Sequence, residues 1–376
     1  MAATAAATTD IALCYGTRPQ VIKASRLRAA LGRRHRVLAV DTGQHYDYAL
    51  NALLYEQLGV AAPDVCLEVG SAGHAEQTAL VLARIEPLLR ERAPRAVVVI
   101  GDTNSTLGCA LAAVKLRIPV VHVEAGLRAD DALMAEEINR RAVDAVAQLL
   151  CAPSARAAER LAQEGAAART LLTGDVARDV LCGQLASLPD PATALPAGIT
   201  APYIFATLHR AELTDQPERL AAALAALAAL ELPVVLATHP RTRAVLERSG
   251  LGVPADAAGR LELVPAVGYR ESLALTRGAA VVVTDSGGVQ REAYWLGTPC
   301  VTLRGETEWG ETVALGANRL VAPVADAEAL RGALGAAVRE QRARSADGAG
   351  WERDAYGTGD AAERIAAATA ALLAAH

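Results

Sequence analysis

Three acidic residues, Asp102, Glu124 and Glu136, sit where proton-transfer chemistry is easily built. Asp102 and Glu124 each follow a short apolar run, Ala96–Ile100 and Val120–Val123, and Glu136 opens the helix-like stretch Ala135-Glu-Glu-Ile-Asn-Arg140. Carboxylates that end neighbouring strands lie within a side-chain length of each other and can share a proton. Arg140 stands four residues after Glu136, on the same helical face, and is expected to orient it. His209, in Leu208-His-Arg210, adds a titratable group from the second half of the chain.

A second group of residues reads as an anion site. In Thr284-Asp-Ser-Gly-Gly-Val-Gln-Arg-Glu-Ala293, Gly287 and Gly288 let the backbone approach a ligand closely. Ser286 offers a hydroxyl, and the following helix aims its unpaired N–H groups at the same point. Glu292, one turn further on, can accept from the hydroxyls of a ribose. Alone, this stretch would better suit a Ser/Asp helix cap with a tight turn. In Gly16-Thr-Arg-Pro-Gln-Val-Ile-Lys23, Arg18 and Lys23 bring two cations to a helix start, suited to a pyrophosphate or to a solvated helix face. Neither G-x-G-x-x-G nor G-x-x-x-x-G-K-[ST] is present, which removes the main signatures of dinucleotide and P-loop chemistry.

The elements that must position these groups are short strands alternating with helices. Strand-like runs are expected at Ile11–Tyr15, Val37–Asp41, Ala96–Ile100, Val120–Val123, Gln148–Ala152 and Thr170–Leu172. A second series runs Tyr203–Thr207, Pro233–Ala237, Leu261–Val264, Ala280–Thr284, Pro299–Thr302 and Leu320–Val321. They are continuous Val/Ile/Leu runs, as parallel strands covered on both faces should be. The proline-rich stretch 188–202 separates the two series as a linker or surface loop. The pattern predicts an α/β chain of two Rossmann-like, doubly wound parallel-sheet domains facing a central cleft. Boundaries are expected at 1–174, joined by a returning C-terminal helix at about 360–376, and at 175–359. The polar loops all follow strand ends, the edge where open α/β sheets bind ligands.

Composition narrows the function classes. The 376 residues are 52% hydrophobic but 3% aromatic, so Ala, Val and Leu must fill the cores. A net charge of -5 argues against a broad nucleic-acid or anionic-membrane surface. Six scattered cysteines without a C-x-x-C suggest buried thiols of a reduced, cytoplasmic protein, with neither zinc nor disulfides. No signal peptide or membrane span is read from the sequence.

Taken in order, Gly16-Thr-Arg-Pro, Thr42-Gly-Gln-His, Gly101-Asp-Thr, His122-Val-Glu-Ala-Gly-Leu-Arg, Glu136-Glu-Ile-Asn-Arg, Leu208-His-Arg, Thr284-Asp-Ser-Gly-Gly-Val-Gln and Glu306-Thr-Glu-Trp309 resemble the UDP-N-acetylglucosamine 2-epimerases of the glycosyltransferase-B fold. The likeness runs from about residue 11 to 325. It implies a reaction without cofactor or metal: UDP leaves C1 as a base removes the C2 proton, and re-addition inverts C2. Carried over, Asp102, Glu124 and Glu136 become the acid/base carboxylates, and His209 a diphosphate or proton-transfer partner. Arg18, Lys23, Ser286, Gly287, Gly288 and Glu292 become UDP ligands, with Arg304 beside them. Gln44, Arg210 and His239 match an allosteric UDP-sugar site of some bacterial members, although Val69-Gly-Ser-Ala72 lacks the arginine usual there. The resemblance further implies a homodimer.

Gly101-Asp-Thr103, where the hydrolysing branch has Gly-Asp-Arg, favours the non-hydrolysing branch. Departures are Gln20 for a usual Glu, Leu133-Met-Ala135 for Arg-Met-Pro, Ala211 and Leu213 beside Glu212, and Gly305 and Gly310 for Asp and Pro. Most fall in loops expected to line the sugar, while the expected UDP ligands are spared. The exact sugar therefore stays open, and so do a UDP-sugar hydrolase or a glycosyltransferase of the same fold.

Overall fold

The computed structural model describes residues 9–44, 55, 60–252, 259–346 and 350–375. The chain divides into two compact units, residues 1–183 with 354–376 and residues 184–353.

The first unit carries a seven-stranded parallel sheet in the order β3-β2-β1-β4-β5-β6-β7. Its strands are β1 Ile11–Tyr15, β2 Val37–Asp41, β3 Val65–Cys66, β4 Ala96–Ile100, β5 Val120–Val123, β6 Leu149–Ala152 and β7 Thr170–Leu172. Helices α1 Arg18–Gly32, α2 His74–Arg92, α3 Asn104–Lys115, α4 Ala135–Val146, α5 Ala155–Gln163 and α6 Val176–Gln184 connect or follow them. Every residue of β1 and β4 is buried, as doubly covered strands require. Strand order reverses between β1 and β4, whose first residues pair as Ile11 with Ala96. The two chain segments leaving that point, at Gly16 and Gly101, therefore open a crevice at the carboxyl edge.

The second unit repeats the plan with six parallel strands in the order β10-β9-β8-β11-β12-β13. They are β8 Ile204–Leu208, β9 Val234–Thr238, β10 Leu261–Pro265, β11 Val281–Thr284, β12 Cys300–Thr302 and β13 Asn318–Leu320. Its helices are α7 Pro191–Ala194, α8 Ala211–Thr214, α9 Pro217–Ala228, α10 Pro240–Ser249, α11 Tyr269–Gly278, α12 Gly287–Leu296, α13 Gly310–Ala314 and α14 Ala327–Ala346. Here the reversal lies between β8 and β11, so the loops that start at His209 and Asp285 are neighbours.

The last helix, α15 Ala361–Ala375, joins the core of the first unit: Ile365 and Leu373 pack in one cluster with Leu27 and Leu31 of α1. Each leucine so buried contributes about 1.5–3 kcal/mol. Asp179 of α6 caps this helix, accepting from the backbone N–H of Ala361 and Ala362 at 3.1 and 2.8 Å. Val176 of α6 lies in the same cluster. This packing explains why the units divide after Gly183 and before Asp354, whereas the sequence pattern puts the boundaries after 174 and 359. The proline-rich stretch also differs from a bare linker. It forms α7, and Leu195 and Ile199 pack with Tyr203 and Leu275 of the second unit. Strand β3 has two residues, too short to leave a periodic signal in the sequence.

Candidate functional site

In the first unit, Asp102 and Glu124 emerge from adjacent strands, with Ile100 of β4 paired to Val123 of β5. The chain turns sharply at both. Gly101 has φ 66°, and Glu124 itself has φ 72°. A left-handed backbone costs a non-glycine residue about 1–2 kcal/mol, and such outliers cluster at functional sites. The turn at Glu124 is held from β6, where the carbonyl of Cys151 accepts from the N–H of both Glu124 and Ala125, each at 3.1 Å. A Cβ added at Gly101 would lie 3.5 Å from Oε2 of Glu124, so the loop leading to Asp102 runs against that carboxylate.

Each carboxylate has its own cation. Arg140 donates Nε and Nη2 to Oδ2 of Asp102 at 3.0 and 2.6 Å. Lys23, from α1, donates to Oε2 of Glu124 and is buried. Asn139 fixes the Asp102 carbonyl at 2.9 Å. Two expectations are corrected here. Lys23, expected on the phosphate or on a solvated face, is not on a solvated face: it is buried against Glu124. Arg140, expected to orient Glu136, has Glu137 as its helix partner, three residues back at 3.1 Å. Glu137 is fully buried and also accepts from the N–H of Ala129 at 2.9 Å and from Arg141 at 2.8 Å. Glu136 is exposed, with no hydrogen bond or ion pair among the described residues. The reason is helical register: of two adjacent glutamates, one must face the core.

Two supports go beyond the sequence reading. Gln20 accepts from the N–H of Gly16 and Thr17 at 2.8 and 3.2 Å, and donates to the Ile100 carbonyl at 2.6 Å. It thereby ties the Gly16–Arg18 turn to the Gly101–Thr103 turn. Arg18 follows that turn, half-buried and without a hydrogen bond or ion pair among the described residues. The other support is His122 on β5, which is fully buried. Its Nδ1 lies 2.7 Å from Oδ1 of Asp144 and its Nε2 lies 2.8 Å from the Gly101 carbonyl. A carbonyl and a carboxylate are both acceptors, so both ring nitrogens carry protons and the ring is an imidazolium. Burial opposes that charge, but the Asp144 charge and hydrogen bond outweigh it and hold the His122 pKa above its ordinary value. Burial likewise pushes Asp144 up, but His122 and Arg128 draw it below the ordinary carboxylate value.

Gln44 is fixed to the same sheet edge, its Oε1 accepting from the Ser105 hydroxyl at 2.7 Å. His45 lies outside the described residues.

In the second unit, Ser286 caps α12, accepting from the N–H of Val289 at 3.4 Å. The cap uses a lone pair of the hydroxyl and leaves its hydrogen for a ligand, so capping and phosphate binding are compatible. Gly287 is closely roofed: a Cβ there would lie 3.1 Å from Nε1 of Trp309 and 3.6 Å from Nη2 of Arg210. Arg210 thus stands beside the Ser-Gly-Gly turn. The Trp309 ring is itself covered by the Arg291 guanidinium, 3.6 Å from the ring centroid. Glu292 sits half-buried on α12.

His209 and Arg210 share one anchor, their backbone N–H groups both donating to Oδ2 of Asp285 at 2.8 Å. Burial and the nearby Arg210 and Arg241 lower the His209 pKa, against the opposing pull of Asp285. The ring of His239 stands 5.4 Å from that of His209. Arg304, expected beside the UDP ligands, is buried and bonded to both oxygens of Glu308 at 2.9 and 3.3 Å, and so supports the 304–308 loop. Among the described residues, no group of three or more His, Cys, Asp or Glu could hold a metal, and no helix is long and apolar enough to cross a membrane.

Two parallel Rossmann-type sheets, one carrying clamped carboxylates and the other a glycine turn at a helix start, define the glycosyltransferase-B class of nucleotide-sugar proteins. The chain belongs to the UDP-N-acetylglucosamine 2-epimerase family, whose pattern matches residues 29–370. It is 41% identical, over 93% of this chain and 96% of that protein, to the UDP-2,3-diacetamido-2,3-dideoxy-D-glucuronate 2-epimerase of Pseudomonas aeruginosa. It is 37% identical to the UDP-N-acetylglucosamine 2-epimerase of Methanocaldococcus jannaschii, over 83% of this chain and 88% of that protein. The crystal structure of Methanocaldococcus jannaschii UDP-GlcNAc 2-epimerase in complex with UDP-GlcNAc and UDP matches with a TM-score of 0.85 at 35% identity, covering 97% of this chain and 100% of that chain.

Proposed function

We propose that the chain inverts C2 of a UDP-activated 2-acetamido sugar by eliminating UDP and adding it back. The carrying observation is the pair Asp102 and Glu124, each ending a neighbouring strand and each held by its own cation. In this reading the carboxylates remove and return the C2 proton, with Glu136 contributing from the start of α4. Arg18, Ser286, Gly287, Gly288 and His209 hold the diphosphate, and Glu292 the ribose. Developing negative charge on the leaving UDP is met by fixed donors, which is where preorganised electrostatics lower a barrier most. The reading needs neither cofactor nor metal, and the free state of all six cysteines fits a reducing cytoplasm.

UDP-N-acetylglucosamine is the first substrate to test. Turnover in D₂O should place deuterium at C2 and accumulate UDP-N-acetylmannosamine. An unexchanged C2 in all UDP-sugars tried, with or without an added acceptor, rejects the proposal. UDP-2,3-diacetamido-2,3-dideoxy-D-glucuronate is a second candidate, supported by the 41% identity over nearly the whole chain. The ratio of kcat/KM for the two sugars decides between them. A homodimer is part of the proposal, and light scattering in solution tests it.

A further inference from the structure

Asp285 follows β11, and its side chain is completely buried. Oδ2 is satisfied by two backbone N–H groups, those of His209 and Arg210. Oδ1 has no hydrogen-bond partner. It lies 3.4 Å from Nδ1 of His209. A buried carboxylate oxygen without a donor is unfavourable, and such a group in a folded protein calls for an explanation. The ring of His209 supplies it. The other groups near that ring are the cations Arg210, in the same loop, and Arg241, on α10, together with the ring of His239 after β9. Neither arginine can accept a proton, so Asp285 is the acceptor that the geometry offers to Nδ1.

We propose that Asp285 is a positioning residue for His209: it takes the Nδ1–H of the imidazole, so that Nε2 faces the diphosphate, taking up a proton when the ring is neutral and donating to a phosphate oxygen once the ring is protonated. One carboxylate then fixes both the loop and the tautomer. The 3.4 Å separation exceeds a full hydrogen bond, and contacts of this kind tighten when substrate engages the other side of the ring. The inference rests on the reading of His209 as the diphosphate or proton-transfer partner.

Asp285→Asn tests it with little change in shape. The amide oxygen must stay on the two backbone N–H groups, so the amide NH2 faces Nδ1. A donor there makes Nδ1 an acceptor and moves the ring proton to Nε2. Nitrogen-15 NMR of histidine-labelled full-length protein at pH 8, with the His209 signal identified by its loss in His209→Asn, should show the Nδ1–H form in the wild type and the Nε2–H form in Asp285→Asn. The same variant should lose about 100-fold in kcat while KM moves by less than about threefold.

A wild-type ring in the Nε2–H form overturns the proposal, whatever the variant does. A lower kcat with the tautomer unchanged also overturns it, because that result leaves Asp285 as loop support alone. Should Asp285→Asn fail to fold, the wild-type spectrum decides. Undiminished C2 exchange in His209→Asn would instead remove His209 from the proposed chemistry, and the tautomer result would stand by itself.

Discussion

Lys23 and Glu124 form an ion pair across the carboxyl edge of the first sheet, α1 supplying a buried cation and the end of β5 a partly buried anion. Removing the cation leaves a partly buried carboxylate without this partner, which is unfavourable and changes how Glu124 is held. Lys23→Met should therefore disturb Glu124 more than it disturbs nucleotide binding. Steady-state kinetics should show kcat falling about 100-fold, with the UDP dissociation constant changed by less than about tenfold. A large loss of UDP affinity with kcat intact would return Lys23 to the phosphate.

Gln20 is the hinge pin between two loops of that edge. Its NH2 faces the Ile100 carbonyl at 2.6 Å and the hydroxyls of Thr103 and Thr106 at 3.0 and 3.1 Å. Glutamate, usual here in the family this chain resembles, would set an acceptor against the carbonyl. Gln20→Glu should thus destabilise the fold by about 1–3 kcal/mol at neutral pH, and less in acid where the carboxyl can donate. Urea unfolding at pH 7 and pH 4.5 measures the difference. Equal stability at both pH values would show that the amide donor has no structural weight.

His122 and Asp144 set a pH window for the first unit. The folded pKa of His122 is raised, so its stabilisation is complete below the unfolded value of about 6.5 and is lost as pH rises through the folded value. The folded pKa of Asp144 is lowered, so its contribution is present above the ordinary carboxylate value and is lost as pH falls through the folded one. Unfolding free energy should decline on the alkaline side above about pH 6.5, and His122→Gln should flatten that limb. Because His122 also holds the Gly101 carbonyl, the variant should lose activity before it loses its fold. An alkaline limb identical in wild type and variant would refute the assignment.

Much of this is legible in the sequence, and the reasons are local. Continuous runs such as Val97–Ile100 and Val120–Val123 announce buried parallel strands, and polar residues directly after them mark the binding edge. What escapes a reading of the sequence depends on packing between distant segments. Adjacent Glu136 and Glu137 are equivalent as residue types, and only the packed face of α4 selects Glu137 for the core. Lys23 and Arg304 read only as candidate phosphate cations until β5 and the 304–308 loop bring carboxylates to them. The positive φ of Glu124 has no residue signature, since glycine is the usual occupant of that conformation. His122 is visible as part of a motif, but its double protonation requires the positions of two acceptors.

The two glycines of the Ser-Gly-Gly turn should respond differently to substitution. A methyl group at Gly287 would come within 3.1 Å of Nε1 of Trp309, and that indole is pinned by burial and by the Arg291 guanidinium at 3.6 Å. At Gly288 the nearest atom would be Oγ of Ser286 at 3.7 Å, an ordinary contact. Gly287→Ala should therefore cost about 1–3 kcal/mol of stability through overpacking. Gly288→Ala sits inside the first turn of α12 and should be neutral or slightly stabilising, because alanine is the better helix former. Thermal unfolding separates these outcomes. UDP titration of the same pair then tests the turn as a phosphate site: if close backbone approach matters, Gly288→Ala weakens UDP binding while its melting temperature stays level, and unchanged affinity in both variants would place the diphosphate elsewhere.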